Sequence, residues 1–292
     1  MTWPLVSVKT PDRFTLHGLF IEPKKRSDTV LIHVHGTAGN FYGNAYYKEL
    51  ATAVVNRNMA FLATNNRGAY VYEIEKDTTS YGCALEHFED CVRDIDAWLN
   101  FAFEHGYTGV ILAGHSFGNE KVVYYLNHGR LKDMVEAVIL LGIADTYGNE
   151  MRQGKDVVSQ RLDEAQSLVR QGRGEVLLGD LHGISMETPV SADTYVNFFS
   201  PGSELSKTLP LRGGQNLTMF SNIKVPILVV ISDDEANEYT IIPIKQALEL
   251  VKKESPLTQT QQISGTNHGF KGKETELVQT IAEFLTSQGV VE

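Results

Sequence analysis

Apolar positions along this chain recur in two periods, and the periods alternate. Residues 5–8 and 14–21 read as two short strands, with Pro11-Asp12-Arg13 supplying the turn of a hairpin. Residues 29–35 are nearly all apolar and β-branched, which predicts a buried strand. A helix over 46–58 and a strand over 59–64 follow. Over 86–105, Phe88, Cys91, Val92, Ile95, Trp98, Leu99 and Ala102 fall at three- and four-residue spacing and predict one apolar helical stripe. Asp90, Arg93, Asp94 and Asp96 take the opposite face, and Gly106 closes the helix. A strand over 109–113, a helix over 117–128 and a strand over 137–142 continue the alternation.

The pattern then changes. From 145 to 224 it is helical, polar and interrupted, with a long helix over 155–171 and a less regular stretch over 191–211. Alternation resumes with a strand at 225–231, a helix at 242–253, a strand at 258–264 and a helix at 273–286. Strands that are apolar throughout, with helices between them, predict an α/β fold with a mostly parallel central sheet covered on both faces. The interruption spans roughly 80 residues, too long for a plain loop. The expected organisation is a core of residues 1–144 and 225–292 with a helical cap, 145–224, inserted after the sixth strand. Such an insertion would stand over the carboxyl ends of the strands, where ligands bind in sheets of this kind.

Composition narrows the partners. The chain has 292 residues, 42% hydrophobic and 21% charged, enough to bury a full core. A formal net charge of -10 argues against nucleic acid or an anionic membrane as the main partner. The longest apolar run, 138–144, is too short to span a bilayer. Met1-Thr2-Trp3-Pro4-Leu5-Val6 has no basic region followed by a long apolar stretch, so the expectation is a soluble cytoplasmic protein without a leader. Cys83 and Cys91 are too few for a four-ligand zinc site, and Cys91 on the helix stripe is expected as a buried free thiol. Neither a nucleotide fingerprint nor a His-Glu-x-x-His pattern is present, so the expected chemistry needs no metal and no cofactor.

The candidate chemistry begins at Gly114-His115-Ser116-Phe117-Gly118, directly after the apolar run 110–113. A G-x-S-x-G pentapeptide between a strand and a helix makes a turn too tight for flanking side chains and lifts the serine onto a strained tip. A serine hydroxyl becomes a nucleophile when it is exposed, aimed and paired with a base. His268, in Gly265-Thr266-Asn267-His268-Gly269-Phe270 between the last strand and last helix, is the candidate base. Asp233, Asp234 and Glu235 follow the 225–231 strand, so the order is serine, acid, histidine.

With these turns, and with His35-Gly36 after the third strand, the chain resembles the α/β-hydrolase superfamily, specifically serine hydrolases of the esterase and thioesterase kind. Family members usually carry glycine, two variable residues and aspartate after the acid-bearing strand. Ser232 in the glycine place puts the acid at Glu235; a turn one residue shorter puts it at Asp234; Asp233 is third. The resemblance implies an oxyanion hole made by the backbone N–H groups of Phe117 and Thr37. Gly36, Tyr42 and Arg67 are the candidate substrate contacts, Arg67 being read first as a structural anchor, with Phe41, Tyr46 and Tyr47 as further candidate wall residues. Asn65 stands where relatives carry the acid of an Asp-x-Arg-Gly turn, which puts an ion pair of Arg67 at that spot in doubt. Arg67, or Arg161 of the insertion, would meet an anionic substrate. His35 and His115 are expected to pin and support the site loops, and His33 to be a hydrogen-bonded core residue.

The resemblance implies cleavage of a carboxylic ester or thioester of a small organic molecule through an acyl-enzyme on Ser116. The same triad would serve an acyltransferase, a cyclising or releasing thioesterase, or a C–C or amide hydrolase. A non-catalytic binding protein on this fold is the rival from another class.

Overall fold

Along the central strands, apolar side chains face both ways. Val30, Ile32 and Val34 enter one core cluster and Leu31 the other; Val110 and Leu112 alternate with Ile111 in the same manner. A strand buried on both faces needs helices on both sides, and the chain supplies them. The computed structural model describes residues 4–25, 27–74, 80–178, 188–234 and 237–289. Its strands are β1 (Leu5–Lys9), β2 (Thr15–Ile21), β3 (Thr29–Val34), β4 (Ala60–Thr64), β5 (Gly109–His115), β6 (Val135–Leu141), β7 (Ile227–Ile231) and β8 (Thr258–Gln262). They form one sheet in the order β1-β2-β4-β3-β5-β6-β7-β8. The β1–β2 and β2–β4 pairs are antiparallel and every other pair is parallel.

Helices α1 (Tyr47–Asn56) and α10 (Glu274–Ser287) cover one face, where Leu50 and Val54 pack with Leu277 and Ile281. Helices α2 (Cys91–Glu104), α3 (Phe117–His128) and α9 (Ile244–Glu254) cover the other, with Trp98, Leu99, Val122 and Val251 in its core. Between β6 and β7 lies a helical insertion: α4 (Thr146–Met151), α5 (Lys155–Arg170), α6 (Ala192–Phe199), α7 (Glu204–Thr208) and α8 (Thr218–Ser221). It has its own aromatic cluster. Tyr195, Phe198 and Phe199 of α6 pack with Phe88 and with Phe117 and Tyr124 of α3, so the insertion rests on the helix that follows Ser116.

The sheet-and-helix organisation expected from periodicity is the observed one, with element ends moved by a few residues. The largest shift is at α2. Residues 86–90 do not begin the helix; 3-10 turns at Cys83–Leu85 and Phe88–Asp90 precede it. Glu86 is buried there, and the Phe88 N–H donates to Asn197 of α6 at 2.9 Å, which holds the chain off the helical path. Asp94, expected on the solvent face of α2, is fully buried. Cys83 and Cys91 are both free and buried. Among the described residues no helix is long and apolar enough to cross a membrane.

Candidate active site

Ser116 sits between β5 and α3 at φ 56 and ψ -128, a left-handed backbone that a non-glycine residue rarely adopts. The turn is so tight that side chains are excluded around it. A Cβ on Gly118 would lie 2.4 Å from the Val34 carbonyl oxygen, and one on Gly36 would lie 2.8 Å from the Ser116 Cβ. The two glycines therefore let the elbow and the 35–39 loop touch. The Ser116 N–H donates to the Leu141 carbonyl at 2.9 Å, and the Asn119 side chain holds both the N–H and the C=O of Leu141. Elbow and β6 are thereby fixed to each other. The Phe117 N–H is the first of α3, a position that has no acceptor within a helix.

Ser116, His268, Thr37, Gly36, His35 and His115 line one cavity of about 410 Å³. Asn40, Asn44, Thr188, Glu238 and Tyr239 complete most of its wall, and among the described lining residues none is aliphatic. His35 accepts the Asn66 N–H at Nε2 (3.1 Å), so its Nδ1–H donates to the Gly36 carbonyl at 2.7 Å. Burial holds this imidazole down to about 3, which keeps it a neutral brace of the loop. His115 donates from Nε2 to the carbonyl of His268 at 2.9 Å, tying the elbow to the histidine loop. His33 is fully buried between the hydroxyls of Tyr46 (3.0 Å) and Tyr47 (2.9 Å), so these two tyrosines are spent on the core.

The His268 ring lies over the end of β6, where a Cβ on Gly142 would come within 2.9 Å of its Cε1. Its Nε2 is buried without a hydrogen-bond partner among the described residues. Burial, and then the neighbouring His115, push this imidazole well below its ordinary value of 6.5, so it is neutral and able to accept a proton. Of the three acids, Glu235 lies outside the described residues. Asp234 accepts the N–H groups of Glu238 (2.7 Å), Tyr239 (3.0 Å) and Thr240 (3.1 Å). Asp233 accepts from the Gly265 N–H at 2.6 Å and from Gln262 at 3.3 Å. Among the described residues no carboxylate is hydrogen-bonded to the His268 ring.

Three candidate substrate contacts are corrected. Arg67 is 4% exposed and outside the cavity; its guanidinium pairs with Asp94 (2.8 Å), Asp12 (2.8 Å) and Asp90 (3.0 Å). Asp94 of α2 thus supplies the charge that Asn65 does not. Tyr42 is 60% exposed and does not line the cavity. Arg161 is buried and paired with Glu150 at 2.9 Å.

Sequence reasoning missed Tyr239, whose ring is stacked on His268 at 3.6 Å between centroids and 5° between planes. It also missed the buried polar run of α3. Glu120 bonds Thr146 at the start of the insertion, and Lys121 pairs with Glu86 and Asn66. The signal for that run was available: Asn119, Glu120 and Lys121 precede Val122-Val123-Tyr124-Tyr125, so α3 has no polar face on which to leave them. Among the described residues no group of three or more His, Cys, Asp or Glu is placed to hold a metal ion.

The family model described as "Protein of unknown function (DUF1749)" matches residues 12–286. The chain belongs to this family. Comparison with curated proteins gave no match. Solved structures are similar over nearly the whole chain. DcsB in complex with its substrate analogue is 15% identical, with a TM-score of 0.71 and 98% of this chain and 99% of that one covered. Siderophore hydrolase EstB from Aspergillus fumigatus is 15% identical, with a TM-score of 0.69 and 98% of each chain covered. The alpha/beta hydrolase GrgF from Penicillium sp. sh18 is 16% identical, with a TM-score of 0.67 and 99% of each chain covered. At these identities the likeness is one of fold, and the fold is that of the α/β hydrolases.

Proposed function

We propose that this protein hydrolyses a carboxylic ester or thioester of a small polar molecule through an acyl-enzyme on Ser116. The observation that carries the reading is the strained Ser116 backbone in one cavity with a buried, neutral His268 whose Nε2 has no described partner. In this reading His268 takes the Ser116 proton as the hydroxyl attacks the carbonyl, and returns it to the leaving group; water then repeats the sequence on the acyl-enzyme. The N–H groups of Phe117 and Thr37 receive the oxyanion. The acid is assigned to Glu235 on family spacing, because the carboxylates of Asp233 and Asp234 accept donors elsewhere. The helical insertion, residues 145–224, acts as a cap that chooses the substrate.

The cavity wall favours a short, hydrogen-bonding acyl group. An aliphatic wall would gain about 0.8 kcal/mol, roughly fourfold in kcat/KM, for each methylene buried. With no aliphatic side chain in the described lining, kcat/KM for p-nitrophenyl esters is expected to stay level or fall from acetate to octanoate. The Ser116→Ala protein, folded by circular dichroism, is expected to turn over none of them above background. Turnover by Ser116→Ala at the wild-type rate contradicts the mechanism, and a steep rise with chain length contradicts the polar pocket.

A further inference from the structure

The loop that carries His268 does not by itself fix the ring. It lies between Gly265 (φ 76) and Gly272 (φ 81), two left-handed glycines, and follows β8, an edge strand of sequence TQTQQ with little buried side-chain surface. The ring nitrogen Nε2 makes no hydrogen bond among the described residues. Its flat face is met by another ring: Tyr239 lies parallel to it at 3.6 Å. Tyr239 is itself clamped. Its N–H donates to Asp234 Oδ2 at 3.0 Å, alongside the N–H groups of Glu238 and Thr240 and the Thr240 hydroxyl (3.3 Å). Its carbonyl accepts the Asp145 N–H at 2.9 Å, where the insertion begins. A carboxylate that gathers three successive backbone N–H groups fixes the direction of all three peptides.

We propose that Tyr239 is the positioning residue of His268, and that Asp234 acts on the reaction through Tyr239, as the organiser of its loop, and not as the triad acid. The proposal rests on the reading of His268 as the general base. The stack holds the imidazole plane in one orientation before the reaction. No atom of Tyr239 or Asp234 gains or loses a proton in the cycle. Among the described residues the other titratable groups around the ring are His115 from β5, Glu238 from the Tyr239 loop and His35 across the cavity, to which the proposed function adds the acid Glu235.

The test is the rate at which a fluorophosphonate labels Ser116, measured against pH for wild type, Tyr239→Phe, Tyr239→Ala, Asp234→Asn and the Tyr239→Ala/Asp234→Asn double variant. Tyr239→Phe keeps the stack and is expected to restore most of the labelling rate that Tyr239→Ala loses. Tyr239→Ala is expected to slow labelling about tenfold, the worth of one aromatic contact near 1.4 kcal/mol. Its acid midpoint is expected to move up, because water reaching the ring favours the imidazolium. Asp234→Asn is expected to slow labelling in the wild-type background and to add little once Tyr239 is alanine. A Tyr239→Ala protein with wild-type rate and midpoint overturns the proposal. An Asp234→Asn loss of equal size in both backgrounds overturns the role given to Asp234. If wild type is not labelled at Ser116, the nucleophile reading fails separately. An NMR titration of the His268 ring in wild type and Tyr239→Ala then decides the positioning claim, and an unchanged midpoint overturns it.

Discussion

His268→Ala is expected to lower ester turnover by about 10⁴-fold or more, the scale at which a serine hydrolase loses its base. The reason is geometric before it is electrostatic. His268 and Ser116 line the same cavity, and the other two histidines there are committed: His35 braces the Gly36 loop and His115 donates to the His268 backbone. Among the described residues no second imidazole of the cavity is free to substitute. Because burial lowers the His268 value, the neutral, proton-accepting form persists below 6.5. Turnover by wild type is therefore expected to sit on its plateau at neutral pH and to decline only in acid. His268→Ala turnover within tenfold of wild type, or an acid limb centred above 6.5, contradicts this assignment.

Lys121→Met is expected to cost about 3–5 kcal/mol of folding stability, the usual consequence of leaving one partner of a buried ion pair alone. Lys121 and Glu86 are both fully buried, with Nζ 2.5 Å from Oε1. Lys121 lies five residues after Ser116 on α3, and its second contact, Asn66 Oδ1 at 2.9 Å, is in the turn that His35 also braces. The pair therefore pins the elbow helix to the segments before α2 and after β4. Without Lys121, burial raises the Glu86 carboxyl above its ordinary value, so the folded variant holds a proton that the unfolded chain gives up. Its stability deficit should accordingly deepen as pH rises through the carboxylate range towards neutrality. Adding Glu86→Leu to Lys121→Met removes the stranded charge and is expected to recover most of the loss. Urea denaturation of the single and double variants at two pH values measures both effects. A single variant as stable as wild type would mean that the pair contributes nothing net.

What the sequence made legible follows from the range of the forces involved. Continuous apolar strands and the α2 stripe are written in neighbouring residues, so the sheet, its flanking helices and the insertion after β6 could be read directly. The elbow was legible because its steric demand is local: glycines at 114 and 118 and a serine between them. Long-range polar pairing was not. Asp94 reads as a solvent-face residue of α2, yet it is buried to hold Arg67, 27 positions earlier in the chain. Tyr42 reads as a pocket aromatic because it follows the 35–39 loop, but the chain turns it outward. Tyr239 lies in a loop without periodicity, and only the fold brings it against His268. Asp234 was singled out by its place after β7; its three backbone partners come from residues 238–240, and no spacing rule announces them.

The most direct test of the central claim is the intact mass of the protein after exposure to a fluorophosphonate, with the labelled peptide mapped, for wild type and Ser116→Ala. One adduct on wild type, located at Ser116 and absent from Ser116→Ala, is the predicted result. An unlabelled wild type, or an adduct that persists in Ser116→Ala, contradicts an activated Ser116.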